Sequence, residues 1–292
     1  MKRKQIALYS NGNYMVRLYD DGTKIKETMD DKFIASFPDS IDLKITNYCD
    51  RNCPMCHEKS STSGNHASLD AEFLKTLKRG TELAIGGGNP LSHPNLMSFL
   101  EQMKEQGVIC NITVNEKHLE QMKEQIEYLI ESKLIYGLGV SIQEYNQTVV
   151  DFAKKHPNTV LHLINGIFKD FDKIAHKGLK ILILGYKKFG RGLSYFNAEI
   201  EKQMNQTREN IADLISKFKL VSFDNLALEQ LNVSSVISQK AYDQMYMGDD
   251  GEGSMYIDLC ERKFAKSSTS TARYELENDI KLMFAKIQRE RV

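Results

Sequence analysis

Three cysteines fall within eight residues, Cys49, Cys53 and Cys56, spaced C-x3-C-x2-C and followed directly by His57. Three thiolates at this spacing can take three corners of an iron-sulfur cluster, or a zinc ion with His57 as fourth ligand. The run CPMCH also satisfies the pattern for covalent haem attachment. A second segment with chemical potential is GGGNP, residues 86–90, where glycines let a ligand meet bare backbone and Pro90 ends a strand.

The elements around these segments decide where they sit. After Pro38, short β-rich runs alternate with amphipathic helical stretches: 41–46, 82–86, 108–114, 136–142, 159–164, 179–184 and 220–228. Leu96, Phe99, Leu100 and Met103 make one buried helical face, and Leu119, Met122, Ile126, Leu129 and Ile130 make another. Residues 195–218 carry a similar stripe. This βα repetition predicts a parallel sheet, in partly closed barrel form rather than open and doubly wound. Loops leaving the strand C-termini of such a barrel form its active face, so the cysteines, directly after 41–46, lie over the mouth. Residues 1–38 read as a small β-hairpin unit with Asn-Gly and Asp-Gly turns. Residues 231–292 form a C-terminal extension that ends in an amphipathic helix with Ile280, Met283, Phe284 and Ile287 on one face.

Composition narrows the classes. The 292 residues include 39 Lys+Arg and 39 Asp+Glu, a formal net charge of +0, which gives no support for a nucleic-acid or anionic-membrane partner. No stretch approaches the roughly 20 apolar residues of a membrane span, and the basic N-terminus lacks a signal-peptide core. A cytoplasmic address is expected, where thiols stay reduced. Three clustered cysteines among five therefore point to metal or redox chemistry rather than disulfides.

The cysteine motif after the first barrel strand, with the Gly-Gly-(Glu)-Pro-like segment after the second, resembles the radical S-adenosylmethionine (SAM) superfamily over roughly residues 39–230. The resemblance implies an α/β fold, a partial (βα)6 TIM-type barrel. It implies a 4Fe-4S cluster on Cys49, Cys53 and Cys56, with SAM on the iron that has no protein ligand and a 5'-deoxyadenosyl radical as the product of reductive cleavage. Met55 and His57 then match positions flanking the third cysteine, where backbone meets the adenine. Gly86, Gly87 and Gly88 match the segment that receives the SAM amino group. Asn89 stands where the family often has Glu, a departure that leaves the backbone role intact. Ser141 resembles the polar residue that often meets the ribose or the methionine carboxylate, Asn165 ends strand five in a similar place, and Arg191 after strand six could pair a carboxylate through its planar fork. Glu229 could face substrate, while Cys110 and Cys260 read as small buried hydrophobes. An electron donor such as flavodoxin or ferredoxin is implied as partner. The substrate is expected to be a peptide, by analogy with peptide-modifying members, or else a nucleoside or small metabolite. A structural zinc module is the non-enzyme alternative.

Overall fold

The computed structural model describes residues 3–289. Strands β1 (Gln5–Asn11), β2 (Tyr14–Tyr19) and β3 (Lys24–Thr28) form a separate antiparallel sheet in the order β1-β2-β3, so the expected hairpin gains a third strand. The main sheet begins with β4 (Ser40–Thr46) and continues with β5 (Glu82–Gly87), β6 (Ile109–Asn115), β7 (Gly137–Ile142), β8 (Thr159–Ile164), β9 (Lys180–Leu184) and β10 (Leu220–Phe223). These seven strands are neighbours in chain order and all parallel, the topology of a barrel wound in one direction.

Helices make the crossovers. They are α1 (Leu96–Gln106) after β5, α2 (Glu116–Gln121) and α3 (Lys123–Glu131) after β6, α4 (Gln147–Lys155) after β7, and α5 (Phe171–Ile174) after β8. Between β9 and β10 run α6 (Arg191–Tyr195), α7 (Ala198–Glu209) and α8 (Ile211–Ser216). The expected strand at 220–228 is shorter than its apolar run. Asp224 accepts a bond from the Ala227 amide at 2.8 Å and caps α9 (Asn225–Leu231), turning the second half of that run into helix.

Helix α10 (Gln239–Met245) leads to β11 (Ser254–Asp258), which pairs parallel with the free side of β4. Strands β12 (Lys263–Ala265) and β13 (Tyr274–Glu275) then add antiparallel. The sheet stays open between β10 and β13, so the barrel is partial. Helix α11 (Ile280–Arg289) buries Ile280, Met283, Phe284 and Ile287, the face its spacing predicts, and the Ile280 amide donates to Thr76 Oγ1 at 3.0 Å.

Strand alternation sorts the residues of β4. Ile41, Leu43 and Ile45 join the core shared with Phe99, Leu100 and Met103 of α1. Asp42, Lys44 and Thr46 fall on the opposite face, toward the lumen. Register carries that face across the sheet: Asn115 lies beside Ser141, and Ser141 beside His162.

Candidate functional site

The segment after β4 leaves the sheet and folds back on itself. Asn47 N donates to Asn65 O at 2.8 Å, Cys49 N to Ser61 O at 2.9 Å, and Ala67 N returns to Ile45 O at 3.0 Å. Cys56 N donates to Cys53 O at 3.2 Å, a turn that gathers the second and third cysteines. All three thiols are half-buried and unbridged. Desolvation first, then neighbouring charges, push the Cys49 and Cys53 thiols above their ordinary pKa; for Cys53 those neighbours are Cys49 and Cys56 themselves. Three thiolates so placed repel one another, and a cationic centre shared among them relieves that repulsion. The donor set fits a three-cysteine iron-sulfur cluster. His57, the zinc reading's fourth ligand, has Nε2 3.2 Å from Glu58 Oε1.

A polar clamp fixes the loop from the β9 side. Arg191 donates through Nε to Cys53 O and through Nη2 to Ser60 O, both at 3.0 Å, and its amide donates to Cys56 O at 3.0 Å. Its fork is thus spent on main-chain carbonyls of the cysteine loop. Met55, 8 % exposed, packs with Tyr186 and Ile200 beneath that clamp.

The glycines at 86–88 divide by role. A Cβ on Gly86 would meet nothing within 4 Å, so this backbone faces open space. Gly87 has φ +110°, and a Cβ there would stand 2.4 Å from Thr46 O; on Gly88 it would stand 2.0 Å from Tyr48 O. These two are glycine because the start of the cysteine loop lies against them. Their neighbours' amides are also committed: Gly88 N donates to Thr46 O and Asn89 N to Tyr48 O. The Asn89 side chain accepts from Leu91 N at 3.2 Å, capping a short 3-10 turn.

Behind the loop lies a buried ionic knot. Lys44 Nζ is 2.7 Å from Glu58 Oε2 and 2.9 Å from Asp258 Oδ2, and Tyr256 donates to Glu58 Oε1 at 3.1 Å. Desolvation works against the Glu58 carboxylate, yet His57 and Lys44 hold its pKa far below the usual range. The knot ties the residue after His57 to β4 and β11, and so to the C-terminal segment.

At the mouth a cavity of ≈ 590 Å³ opens beside the cysteines. Cys53 and Met55 line it, with Glu116, Gln143, Gly166 and Ile200 among the other walls. The remaining expected residues do not line this cavity. Ser141 is on the lumen face of β7. Asn165 is 1 % exposed and donates to Gln230 Oε1 at 3.1 Å, tying β8 to α9, while its own Oδ1 is buried without a partner. Glu229 is exposed on α9 rather than on a strand. Cys110 is buried in β6, where desolvation pushes its thiol up to about 12. Cys260 departs from the buried-strand expectation: Asp258 accepts from Glu261 N at 3.0 Å and ends β11, leaving Cys260 half-buried in a turn.

Several residues at the site were not anticipated. Gln143, two positions after Ser141, donates to Cys53 Sγ at 3.5 Å, and period-2 alternation along β7 could have flagged it. Glu116 accepts from Asn146 Nδ2 at 2.9 Å beside it. Asp50, Arg51 and His118 form a group next to Cys49: Cys49 Sγ, an Asp50 carboxylate oxygen and a His118 ring nitrogen all lie within 4.8 Å of one another.

The chain is similar to known proteins in sequence and in fold. Residues 43–169 match the model of the Radical SAM superfamily. The chain is 24% identical over 151 residues to a probable GTP 3',8-cyclase of Methanocaldococcus jannaschii, covering 49% of each chain, so it spans about half the length of that relative. Its fold is similar to Streptococcus suis SuiB bound to precursor peptide SuiA (TM-score 0.60, 15% identity, 86% of this chain and 65% of that one). It is likewise similar to SuiB bound to S-adenosylmethionine (TM-score 0.56, 14% identity, 83% and 64%). No helix among the described residues is long and apolar enough to cross a membrane.

Proposed function

We propose that this chain, a radical SAM enzyme, holds a 4Fe-4S cluster on Cys49, Cys53 and Cys56 and uses it to modify a peptide. The observation that carries the reading is three unbridged, half-buried thiols on one loop after β4, with Cys53 lining a ≈ 590 Å³ cavity at the barrel mouth. A reduced cluster with SAM bound there would supply radical chemistry that removes a hydrogen atom from substrate. The chain's own residues do the rest. Cys49, Cys53 and Cys56 ligate, Gly86 leaves bare backbone for the cofactor's amino group, and Gln143 offers its amide to the Cys53 sulfur. Arg191 holds the loop rigid, and Met55 with Tyr186 and Ile200 keeps water from its base.

The peptide assignment is supported by the likeness in fold to a protein solved with a precursor peptide, over 86% of this chain. A low-potential carrier such as flavodoxin or ferredoxin would supply the electron, in the cytoplasm. A second reading, a nucleotide substrate, draws on the match to a probable GTP 3',8-cyclase.

Anaerobic reconstitution with iron and sulfide should give about four irons per chain. With dithionite and SAM the product should be 5'-deoxyadenosine, and Cys56→Ala should lose both. A chain that takes one zinc and develops no iron-dependent absorbance overturns the reading. Peptides encoded beside the gene should accelerate SAM cleavage; acceleration by GTP instead would favour the nucleotide.

A further inference from the structure

Asp50 stands next to the first cysteine and is held from two sides. His118 Nε2, on a ring 1 % exposed in α2, donates to Asp50 Oδ1 at 2.6 Å, and Arg51 Nη2 pairs with Asp50 Oδ2 at 2.5 Å. The bond crosses 68 residues of chain, from the cysteine loop to the helix after β6. Imidazole and carboxylate flank the Cys49 sulfur, with all three atoms within 4.8 Å. The Arg51 amide also points at that sulfur, 3.5 Å from Sγ.

The charges here are defined. The Asp50 carboxylate is tied on one oxygen to the Arg51 guanidinium and on the other to the His118 ring. The His118 ring is held by Asp50 through Nε2, while its Nδ1 is buried without a partner. One fixed anion and one fixed cation thus sit beside a ligand sulfur.

Resting on the radical SAM reading, we propose that the Asp50–Arg51 pair, fixed in place by His118, sets the reduction potential of the cluster held by Cys49. An electron entering the cluster from a low-potential carrier adds one negative charge. The Asp50 carboxylate opposes it and the Arg51 guanidinium favours it, each acting over a few ångströms. His118 is a positioning residue: it keeps the anion beside the sulfur. Side-chain exposures of 32% for Asp50 and 25% for Arg51 leave the pair partly screened, so the shifts should shrink in high salt.

The test is a redox titration of the reconstituted full chain, following the reduced cluster by electron paramagnetic resonance, with iron content and thermal midpoint measured alongside. Asp50→Asn keeps an acceptor for His118 and removes the anion, so the midpoint potential should become less negative. Arg51→Gln should move it the other way. Opposite shifts at unchanged iron content establish the pair as the determinant; equal potentials in wild type and both variants overturn the proposal. If Asp50→Asn loses its cluster, Arg51→Gln decides alone, a more negative potential supporting the proposal and an unchanged one overturning it. A wild-type chain that binds no iron fails differently, by overturning the function on which the proposal rests.

Discussion

Arg191 holds Cys53 by its main chain and not by its sulfur: Nε donates to the Cys53 carbonyl at 3.0 Å while Nη2 reaches Ser60 O at the same distance. A planar fork spans two carbonyls that a lysine ammonium, a single point of charge, cannot bridge. The sequence suggested a carboxylate partner for this arginine, and the geometry assigns its donors to the loop.

Arg191→Lys should therefore destabilise the cysteine loop by roughly 1.5–3 kcal/mol, the usual worth of a hydrogen bond to a charged group. The expected results are a lower thermal midpoint for the cluster-free chain and faster iron loss from the reconstituted one. SAM affinity, normalised to cluster content, should hold. A variant with normal iron retention and weakened SAM binding would instead return Arg191 to the cofactor.

The glycine segment separates two effects within three residues. Gly86→Val adds side chain into open space on the lumen side, so folding and iron uptake should survive while SAM binding weakens. At Gly88 the same change drives a Cβ to 2.0 Å from Tyr48 O, one residue before Cys49. Gly88→Val should consequently lose iron as well as SAM. Iron analysis with calorimetric SAM titration checks both, and identical behaviour of the two variants would contradict the division.

What could be read along the chain was local or periodic. The cysteine spacing, the glycine run and the alternation of Ile41, Leu43 and Ile45 need only neighbours to be recognised. The missed features are matters of distance or of a single cap. His118 carries no local sign of its partner, because Asp50 lies 68 positions away across a β-to-α crossover. Lys44 and Asp258 meet only because β11 returns to pair with β4. At 220–228 an apolar run reads as strand throughout, and one carboxylate, Asp224, converts its second half to helix by capping. Asp258 acts similarly on Cys260, ending a strand just before the residue that composition would have buried.

The lumen holds one more group whose behaviour can be measured, His162 on β8. A Cβ on Gly139 of the neighbouring strand would stand 2.3 Å from its Cε1, so the ring occupies the space that glycine leaves. The ring is set deep among protein atoms yet keeps a water-accessible face, and desolvation lowers its pKa from 6.5 to about 4. The folded chain therefore resists a proton that the unfolded chain accepts. Stability from this group is complete above the unfolded pKa near 6.5 and falls as the pH drops toward 4. The loss can reach on the order of 3 kcal/mol at most, and less because the ring is partly solvated. Urea unfolding of the cluster-free chain at pH 7.5 and pH 5 should show wild type losing stability on acidification, with His162→Gln losing about 1–2 kcal/mol less. Equal losses in the two proteins would mean that His162 titrates normally and that the lumen admits its charge.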